Sequence, residues 1–332
     1  MSKVFDLWNE VGGAFGPSGR EDAVREAIAA IAGEYIDDIT TDALGNLICR
    51  KKGSGKKVLF AAHMDSIGVV ATYIDEKGFI RFSQVGGLFK GDLINIMVRF
   101  ANGTRGVISY EEKTPFKDLT LDNLFIDIGA KDRTDAETQV QVGDFAVFEA
   151  PRFEQNGVLC GPYLDNRIGC VTLLRAMEQV GETDNDLYFV FTAQEEVGLR
   201  GAGAAAFAVE PDVAIAVDVT DTGDLPERKT PMAVDMGKGP AIKVMDRSVI
   251  CTPAVCAALE QAAHDCGIAT QREILQCGGT DTAALQKARA GVQAGAVSIP
   301  TRYIHSPSEM CAVDDVENAA KLLARFAASF GA

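Results

Sequence analysis

A histidine and an aspartate two positions later, His63 and Asp65, follow directly on the apolar run 58–62. The run has no alternating polar residues, which is typical of a strand buried on both faces of a sheet. Open α/β sheets place their sites at the carboxyl ends of such strands. A histidine there can bind a metal through one ring nitrogen, while an aspartate accepts the other N–H and orients the ring. Taken alone, these residues also fit a core strand that ends in an ordinary polar turn.

Three more apolar runs lead into residues that can bind a metal. They are 187–192, followed by Glu195 and Glu196; 213–217, followed by Asp218; and 296–299, followed after a short loop by His305. A further candidate, Asp165, lies where a helix is predicted to begin. Because a parallel sheet brings the carboxyl ends of its strands to one edge, we expect these side chains to converge there.

Two imidazoles and several carboxylates, without cysteine, suit zinc, cobalt or manganese in an open catalytic site. Five such ligands exceed the three that a single catalytic zinc usually takes from protein. They suit two ions bridged by one carboxylate and separated by roughly 3.5–4 Å. Each residue alone also fits a helix cap, a turn aspartate, a surface glutamate or a satisfied histidine. The recurrence of the pattern at successive strand ends favours a metal centre.

Two other features are less informative. His264 lies inside a predicted helix, away from any strand end, and we interpret it as a surface or packing histidine. The segment 277–281 precedes a helix, and it fits a pocket-lining turn and a helix cap equally well.

The composition of the 332-residue chain narrows the classes of partner. A net charge of −15 argues against nucleic acid or an anionic membrane, because both need a basic face. No apolar run approaches the roughly 20 residues that span a bilayer, and the N-terminus lacks the features of a secretory signal. The eight cysteines are scattered without a C-x-x-C pair, which indicates reduced thiols. We therefore expect a cytoplasmic protein.

The elements that must position these residues fall into three segments. Residues 1–70 are predicted to begin an α/β domain, with a capping box at Ser18 and Glu21 starting its second helix. Residues 71–161 show short strand-like runs between turn signals, with no helical pattern and no histidine, which predicts an inserted β domain. Residues 162–332 alternate strands and helices and are predicted to complete the α/β domain. The predicted fold class is therefore α/β, a largely parallel sheet flanked by helices, with a small β-barrel-like insert.

Six motifs match one protein family in order and spacing. They are AHMDSIG at 62–68, LDNR at 164–167, QEEVG at 194–198, DVT at 218–220, GGTD at 278–281 and HSP at 305–307. The chain resembles the dinuclear metallo-aminopeptidases, which include glutamyl, deblocking and tetrahedral (TET-type) aminopeptidases. Some members of that family carry an endoglucanase or cellulase label. The resemblance covers essentially the whole chain, and it implies a zinc-peptidase-like fold whose insert, 71–161, serves for dimerisation.

Transferred position by position, the resemblance implies a role for each site residue. Asp165 would bridge two metals, His63 and Asp218 would complete one metal site, Glu196 and His305 would complete the other, Glu195 would be the general base, and Asp65 would orient His63. Glu195 and Asp65 are thus the catalytic candidates. Many relatives have a second aspartate where this chain has Asn166, a position that is not a ligand. The family also implies two divalent ions, with zinc expected and cobalt or manganese as alternatives, and dimers that can form twelve-subunit tetrahedral shells.

The predicted activity is hydrolysis of the N-terminal peptide bond of short peptides by a metal-activated water, with Glu195 as general base. A metallo-deacylase or carboxypeptidase on the same site is an alternative. It would need a basic residue, such as Arg167 or Arg302, to pair with the substrate carboxylate. An endoglucanase would instead need two carboxylates flanking a sugar bond and no metal. A catalytically inactive scaffold is disfavoured because the chain retains Glu195, which has no ligand role and would serve no purpose without catalysis.

Overall fold

The computed structural model describes residues 1–228 and 230–331. Its α-helices are α1 (Lys3–Gly13), α2 (Asp22–Ala32), α3 (Arg133–Glu137), α4 (Leu164–Gln179), α5 (Arg200–Val209), α6 (Pro253–Asp265), α7 (Thr282–Gln286) and α8 (Val313–Ser329). Its strands are β1 (Asp38–Thr41), β2 (Leu47–Lys51), β3 (Lys57–His63), β4 (Gly68–Ile74), β5 (Ile80–Val85), β6 (Met97–Phe100), β7 (Arg105–Tyr110), β8 (Leu124–Asp127), β9 (Phe145–Glu149), β10 (Phe153–Gln155), β11 (Val158–Gly161), β12 (Asp186–Thr192), β13 (Val213–Thr220), β14 (Ala241–Met245), β15 (Gln271–Ile274), β16 (Gln293–Arg302) and β17 (Glu309–Ala312). Within the described residues, no helix is long and apolar enough to cross a membrane.

Four parallel strands, β12, β3, β13 and β16 in spatial order, form the centre of the large sheet. Antiparallel strands extend it on both sides: β2 and β1 lie beyond β12, and β17, β11 and β10 lie beyond β16. The predicted largely parallel sheet is therefore confirmed. Thr192 at the end of β12 pairs with His63 at the end of β3, so the two strand ends lie side by side.

Strand β3 is apolar along its length because helices cover the sheet on both sides. Phe60 and Ala62 pack in the layer that contains α1, α2, α4 and α8, whereas Leu59 and Ala61 pack against α5 and α7. Phe60 also stacks on Phe189 of β12, with ring centroids 5.3 Å apart. Successive side chains of a strand point to opposite faces, so a strand with two covered faces needs apolar residues at every position.

Six described strands close into an antiparallel barrel in the order β4-β5-β8-β7-β6-β9. Its interior is filled by apolar side chains at alternating strand positions, among them Val69, Ala71, Ile80, Val98, Ile108 and Ile126. Closure leaves no free strand edge in the barrel. The predicted β-barrel-like insert is thus confirmed.

The expectation that segment 71–161 contains no helix is wrong: it contains the short helix α3 and three 3₁₀ helices of three residues each, at Lys90–Asp92, Phe116–Asp118 and Leu121–Asn123. Helix α3 has five residues, and Asp132 caps it by accepting a hydrogen bond from the N–H of Asp135. A single helical turn is too short to show the apolar period of 3.6 residues on which the expectation relied.

The chain leaves the barrel after β9. Strands β10 and β11, which lie inside the predicted segment 71–161, pair with each other and join the large sheet through β17. At the other end of the insert, the first barrel strand already begins at Gly68. The division into segments 1–70, 71–161 and 162–332 stays a prediction.

Candidate metal centre

The strand ends bring the predicted site residues together. His63 is the last residue of β3, and its side chain is only 2% exposed. Asp218 lies inside β13, which continues to Thr220 rather than ending at 217 as expected. Asp165 is the second residue of α4, where its backbone is not yet helical. These residues come from separate parts of the chain and meet at the carboxyl edge of the central strands.

The carboxylate of Asp165 lies between two histidines. Its Oδ1 is 3.1 Å from Nε2 of His63, and its Oδ2 is 3.3 Å from Nε2 of His305. One oxygen of Asp165 therefore faces each imidazole. A carboxylate that serves two metal ions presents its oxygens in this way.

Three further carboxylates surround the two histidines. Asp218 Oδ1 lies 3.6 Å and Glu195 Oε2 lies 3.9 Å from Nε2 of His63, while Glu196 Oε2 lies 3.3 Å from Nε2 of His305. The candidate ligand atoms fall into two overlapping sets, each with its atoms within 4.8 Å of one another: His63 with Asp165 and Glu196, and His63 with Glu195 and Asp218.

A turn in the backbone lets the adjacent Glu195 and Glu196 face the same cluster. In an extended strand, neighbouring side chains would point in opposite directions. Strand β12 ends at Thr192, and Gln194 has a left-handed backbone with φ of 57°. The chain thus leaves the sheet before the two glutamates.

The carboxylate of Asp65 anchors this turn. Its Oδ1 accepts the N–H of Glu195 at 3.0 Å, and its Oδ2 accepts the N–H of Glu196 at 3.2 Å. The hydroxyl of Ser18 also donates to Oδ2, at 2.6 Å. The predicted capping box is therefore wrong: α2 starts after Glu21 without a side-chain cap, because the Ser18 hydroxyl is engaged with Asp65.

Asp65 also adjoins His63. Nδ1 of His63 lies 3.2 Å from the backbone carbonyl oxygen of Asp65 and 3.6 Å from its Oδ1. A proton on Nδ1 is satisfied there, which leaves Nε2 directed into the carboxylate cluster.

The carboxylates stabilise the protonated form of both histidines. Burial opposes protonation of His63, but the Glu195 carboxylate and a hydrogen bond to Asp165 hold its pKa well above its usual range. Burial likewise opposes protonation of His305, yet hydrogen bonds to Asp165 and Glu196 raise its pKa to about 12. The cluster thus attracts positive charge strongly.

The donor set fits divalent metal ions. Burial raises the pKa values of Glu195, Glu196 and Asp218, and repulsion from neighbouring carboxylates raises them further. Oε1 of Glu196 is buried and lacks a hydrogen-bond partner among the described residues. Nitrogen and oxygen donors of this kind suit zinc, cobalt and manganese, and a bound cation would satisfy the excess of buried negative charge.

Several residues at the centre could not be identified from the sequence. Glu309 contacts the backbone of Asp165 and His305, and its only sequence signal is its position four residues after His305. The barrel reaches the centre through a glycine pair after β5: a Cβ on Gly86 would lie 3.1 Å from Oε2 of Glu196, and one on Gly87 would lie 3.3 Å from Nδ1 of His305. A glycine pair after a strand indicates a close approach but not its partner.

His264 and the turn at 277–281, which lie outside the strand-end pattern, differ in their distance from the candidate centre. The His264 side chain is 84% exposed, as expected for a surface histidine. In the turn at 277–281, Asp281 is buried and accepts a hydrogen bond from the hydroxyl of Thr192 at the end of β12. The turn therefore packs behind the candidate centre.

The two arginines considered as partners for a substrate carboxylate are already engaged. Arg167 is fully buried and donates to the backbone carbonyls of Val11 and Gly16. Arg302 makes a two-point contact with the carboxylate of Asp224. Neither guanidinium is free to hold the C-terminal carboxylate of a substrate.

The chain is similar to known peptidases over nearly its full length. Residues 45–322 match the M42 glutamyl aminopeptidase family. The lysyl aminopeptidase of Pyrococcus furiosus is 36% identical over 322 residues, which cover 92% of each chain.

Solved structures share the same fold. Aminopeptidase APDkam598 from Desulfurococcus kamchatkensis is 36% identical with a TM-score of 0.95, over 98% of this chain and 94% of that chain. The Pyrococcus horikoshii TET1 peptidase, which can assemble into a tetrahedron or a large octahedral shell, is 32% identical with a TM-score of 0.90, over 99% and 100% of the two chains. The related PhTET1-12s structure is a dodecamer.

The family match spans the whole candidate centre, from His63 to His305. It also agrees with the six motifs that carry the resemblance. This chain therefore belongs to the M42 glutamyl aminopeptidase family and is a metallo-aminopeptidase.

Proposed function

We propose that this aminopeptidase removes N-terminal residues from short peptides with the help of two divalent metal ions. One observation carries the proposal: the two oxygens of Asp165 face His63 and His305, at 3.1 and 3.3 Å. The two imidazoles reach that carboxylate from different elements of the chain. In a two-metal site, one carboxylate shared by two sets of ligands can bind both ions.

The remaining ligands divide by proximity. His63 and Asp218 would complete one site, and His305 and Glu196 the other, with Asp165 serving both. When bound, the ions supply positive charge that lowers the pKa of water and polarises a peptide carbonyl. Zinc is the expected metal, and cobalt or manganese suits the same donors.

Glu195 is the proposed general base. Its carboxylate borders the cluster at 3.9 Å from His63, a longer contact than the 3.3 Å that Glu196 makes with His305. Glu195 takes a proton as the water oxygen bonds to the carbonyl carbon, and it delivers that proton to the amine as the C–N bond breaks. Burial raises the pKa of Glu195, as expected for a carboxylate held away from water. Asp65 positions Glu195 through its backbone N–H.

The rival activities have less support. A carboxypeptidase or deacylase on this site would need a free basic group, whereas Arg167 and Arg302 are both occupied. An endoglucanase would need two carboxylates flanking a sugar bond rather than a histidine pair around one carboxylate.

We also propose that the chain associates through its barrel into dimers and then into a twelve-subunit shell. The support is the assembly of the TET1 relatives together with exposed apolar side chains on the barrel. Met97 and Val107 pair across β6 and β7, and they are 50% and 40% exposed.

A panel of aminoacyl chromogenic substrates, with and without N-terminal acetylation, tests the activity. Chelation should abolish hydrolysis, zinc, cobalt or manganese should restore it, and acetylation of the substrate should block it. Full activity in a demonstrably metal-free preparation would contradict the two-metal proposal. Release of acetate from the acetylated substrates, with the chromophore left attached, would instead support a deacylase.

Two adjacent substitutions separate the proposed base from a proposed ligand. Glu195→Gln keeps the size but removes the base, so it should retain both metals while the rate falls by about 10²–10⁴. Glu196→Gln should weaken one metal site and leave the other occupied. Metal content measured by mass spectrometry beside the peptidase rate decides the assignment. If Glu195→Gln lost a metal and Glu196→Gln did not, the two roles would be reversed.

A further inference from the structure

A carboxylate outside the proposed ligand set joins two parts of the centre. Glu309 is the first residue of β17 and is 1% exposed. Its Oε1 accepts the backbone N–H of His305 at 2.9 Å, and its Oε2 accepts the backbone N–H of Asp165 at 3.0 Å. Each oxygen of Glu309 thus holds the backbone of one proposed ligand.

The two segments that Glu309 joins are not held there by regular secondary structure. Asp165 lies at the start of α4 with φ −75° and ψ 111°, which is outside the helical region. The His305 backbone is left-handed, with φ of 65°, and so is that of Tyr303, with φ of 60°. Neither N–H takes part in a helix or strand ladder. Glu309 therefore supplies the hydrogen bonds that a ladder would otherwise supply.

The other half of the centre has a similar arrangement. Asp65 accepts the backbone N–H groups of Glu195 and Glu196 at 3.0 and 3.2 Å. Two buried carboxylates thus each accept hydrogen bonds from the backbone N–H groups of two proposed site residues. Asp65 holds neighbouring residues, whereas Glu309 holds residues that are far apart in the chain.

We propose that Glu309 is a positioning residue that sets the separation of Asp165 and His305, and thereby preorganises the metal site formed by Asp165, Glu196 and His305. This inference rests on the proposed function, because it takes those three residues to be ligands. Partners that orient ligands typically contribute about 10–100-fold to metal affinity. An effect of that size on this site is the expected result, with a smaller effect on the other site, which shares Asp165.

Glu309→Gln tests the inference because it changes one acceptor into a donor. The amide offers a single oxygen, so its NH₂ group must face the N–H of either Asp165 or His305. One of the two backbone groups then loses its partner and moves away. The substitution keeps the shape of the side chain, so a general packing effect is small.

Asp315 supplies a matched control. It is also 1% exposed, and its two oxygens accept the backbone N–H groups of Gly237 and Gly239 at 2.7 and 2.8 Å. Asp315→Asn creates the same conflict between two donors, but at a pair of glycines that is not part of the proposed centre. It reproduces the loss of a buried hydrogen bond without touching a proposed ligand.

The experiment titrates metal-depleted full-length protein with Co²⁺, followed by calorimetry and by the visible absorption of the bound ion. Wild type should bind two ions. Glu309→Gln should bind the ion held by Asp165, Glu196 and His305 about 10–100-fold more weakly, with a changed absorption band for that ion, and should lose less affinity for the other ion, whose site shares only Asp165. Asp315→Asn should match wild type in both affinities and in its spectrum.

A second variant covers the case in which Glu309→Gln does not fold. Glu309→Asp keeps the charge but is one methylene shorter, so it cannot reach both N–H groups, and it should weaken the same metal site. Wild-type affinity and spectrum in either variant would overturn the inference, as would an equal loss in Asp315→Asn. If wild type itself bound fewer than two ions, the proposed function would fail instead.

Discussion

Substitution of Gly86 tests whether the barrel shapes the catalytic centre. Gly86 follows β5 and has a left-handed backbone with φ of 78°. A Cβ at this position would lie 2.8 Å from Cγ2 of Ile67 and 3.1 Å from Oε2 of Glu196. In Gly86→Ala, both neighbours must move by a few tenths of an ångström or more. Glu196 is a proposed ligand, so the substitution should disturb the centre directly.

The expected effect has two parts that a control can separate. An alanine in a left-handed conformation destabilises the folded protein by roughly 1–2 kcal/mol wherever it occurs. Gly129, also in the insert, has φ of 75°, and a Cβ at this position would have no other described residue within 4 Å apart from its chain neighbours. Gly129→Ala should therefore show the loss of stability alone. Gly86→Ala should show the same loss and, in addition, a fall in kcat/KM of about 10–100-fold, because small misplacements of catalytic groups have effects of that order.

The assay compares the free energy of unfolding, the metal content and kcat/KM of both variants with those of wild type. Metal content should fall in Gly86→Ala and stay at two ions in Gly129→Ala. Equal metal content and equal kcat/KM in the two variants would refute the argument. In that case the barrel glycine would be a turn residue with no bearing on the site.

Two other predictions concern stability and assembly. Burial opposes ionisation of Asp186, but its two hydrogen bonds from Arg50, at 2.8 and 2.9 Å, contribute to holding its pKa below the usual range. The stabilisation is therefore present above the unfolded-state pKa of about 3.9, and it is lost as the pH falls through the lower folded-state pKa. In urea unfolding, the difference in the free energy of unfolding between wild type and Asp186→Asn should shrink on acidification. A difference that grows on acidification would contradict this prediction. If the barrel mediates association, the double variant Met97→Glu, Val107→Glu should have a lower subunit number by native mass spectrometry than wild type. The control Ile250→Glu, at a residue outside the barrel that is 70% exposed, should keep the wild-type subunit number. Unchanged assembly in the double variant would exclude this face of the barrel.

The pattern of residues along the chain was sufficient to predict most of the fold. An unbroken apolar run predicts a strand with two covered faces, and β3 and β13 both follow that rule. The residues that end or interrupt these runs, His63 and Asp218, are carried to the same sheet edge by the strands themselves. The motif spacing then identified the family. These features are local, since each is written in a few neighbouring residues.

Only the tertiary structure decided which groups hold the site residues in place. Ser18 has the sequence context of a helix cap, but its hydroxyl donates to Asp65. Glu309 and Gly86 show no local pattern that connects them with Asp165 or Glu196, yet each lies against the centre. A hydrogen bond forms when donor and acceptor come within about 3 Å. For residues far apart in the chain, that distance depends on how the packed core orients separate loops, and no short stretch of sequence contains this information.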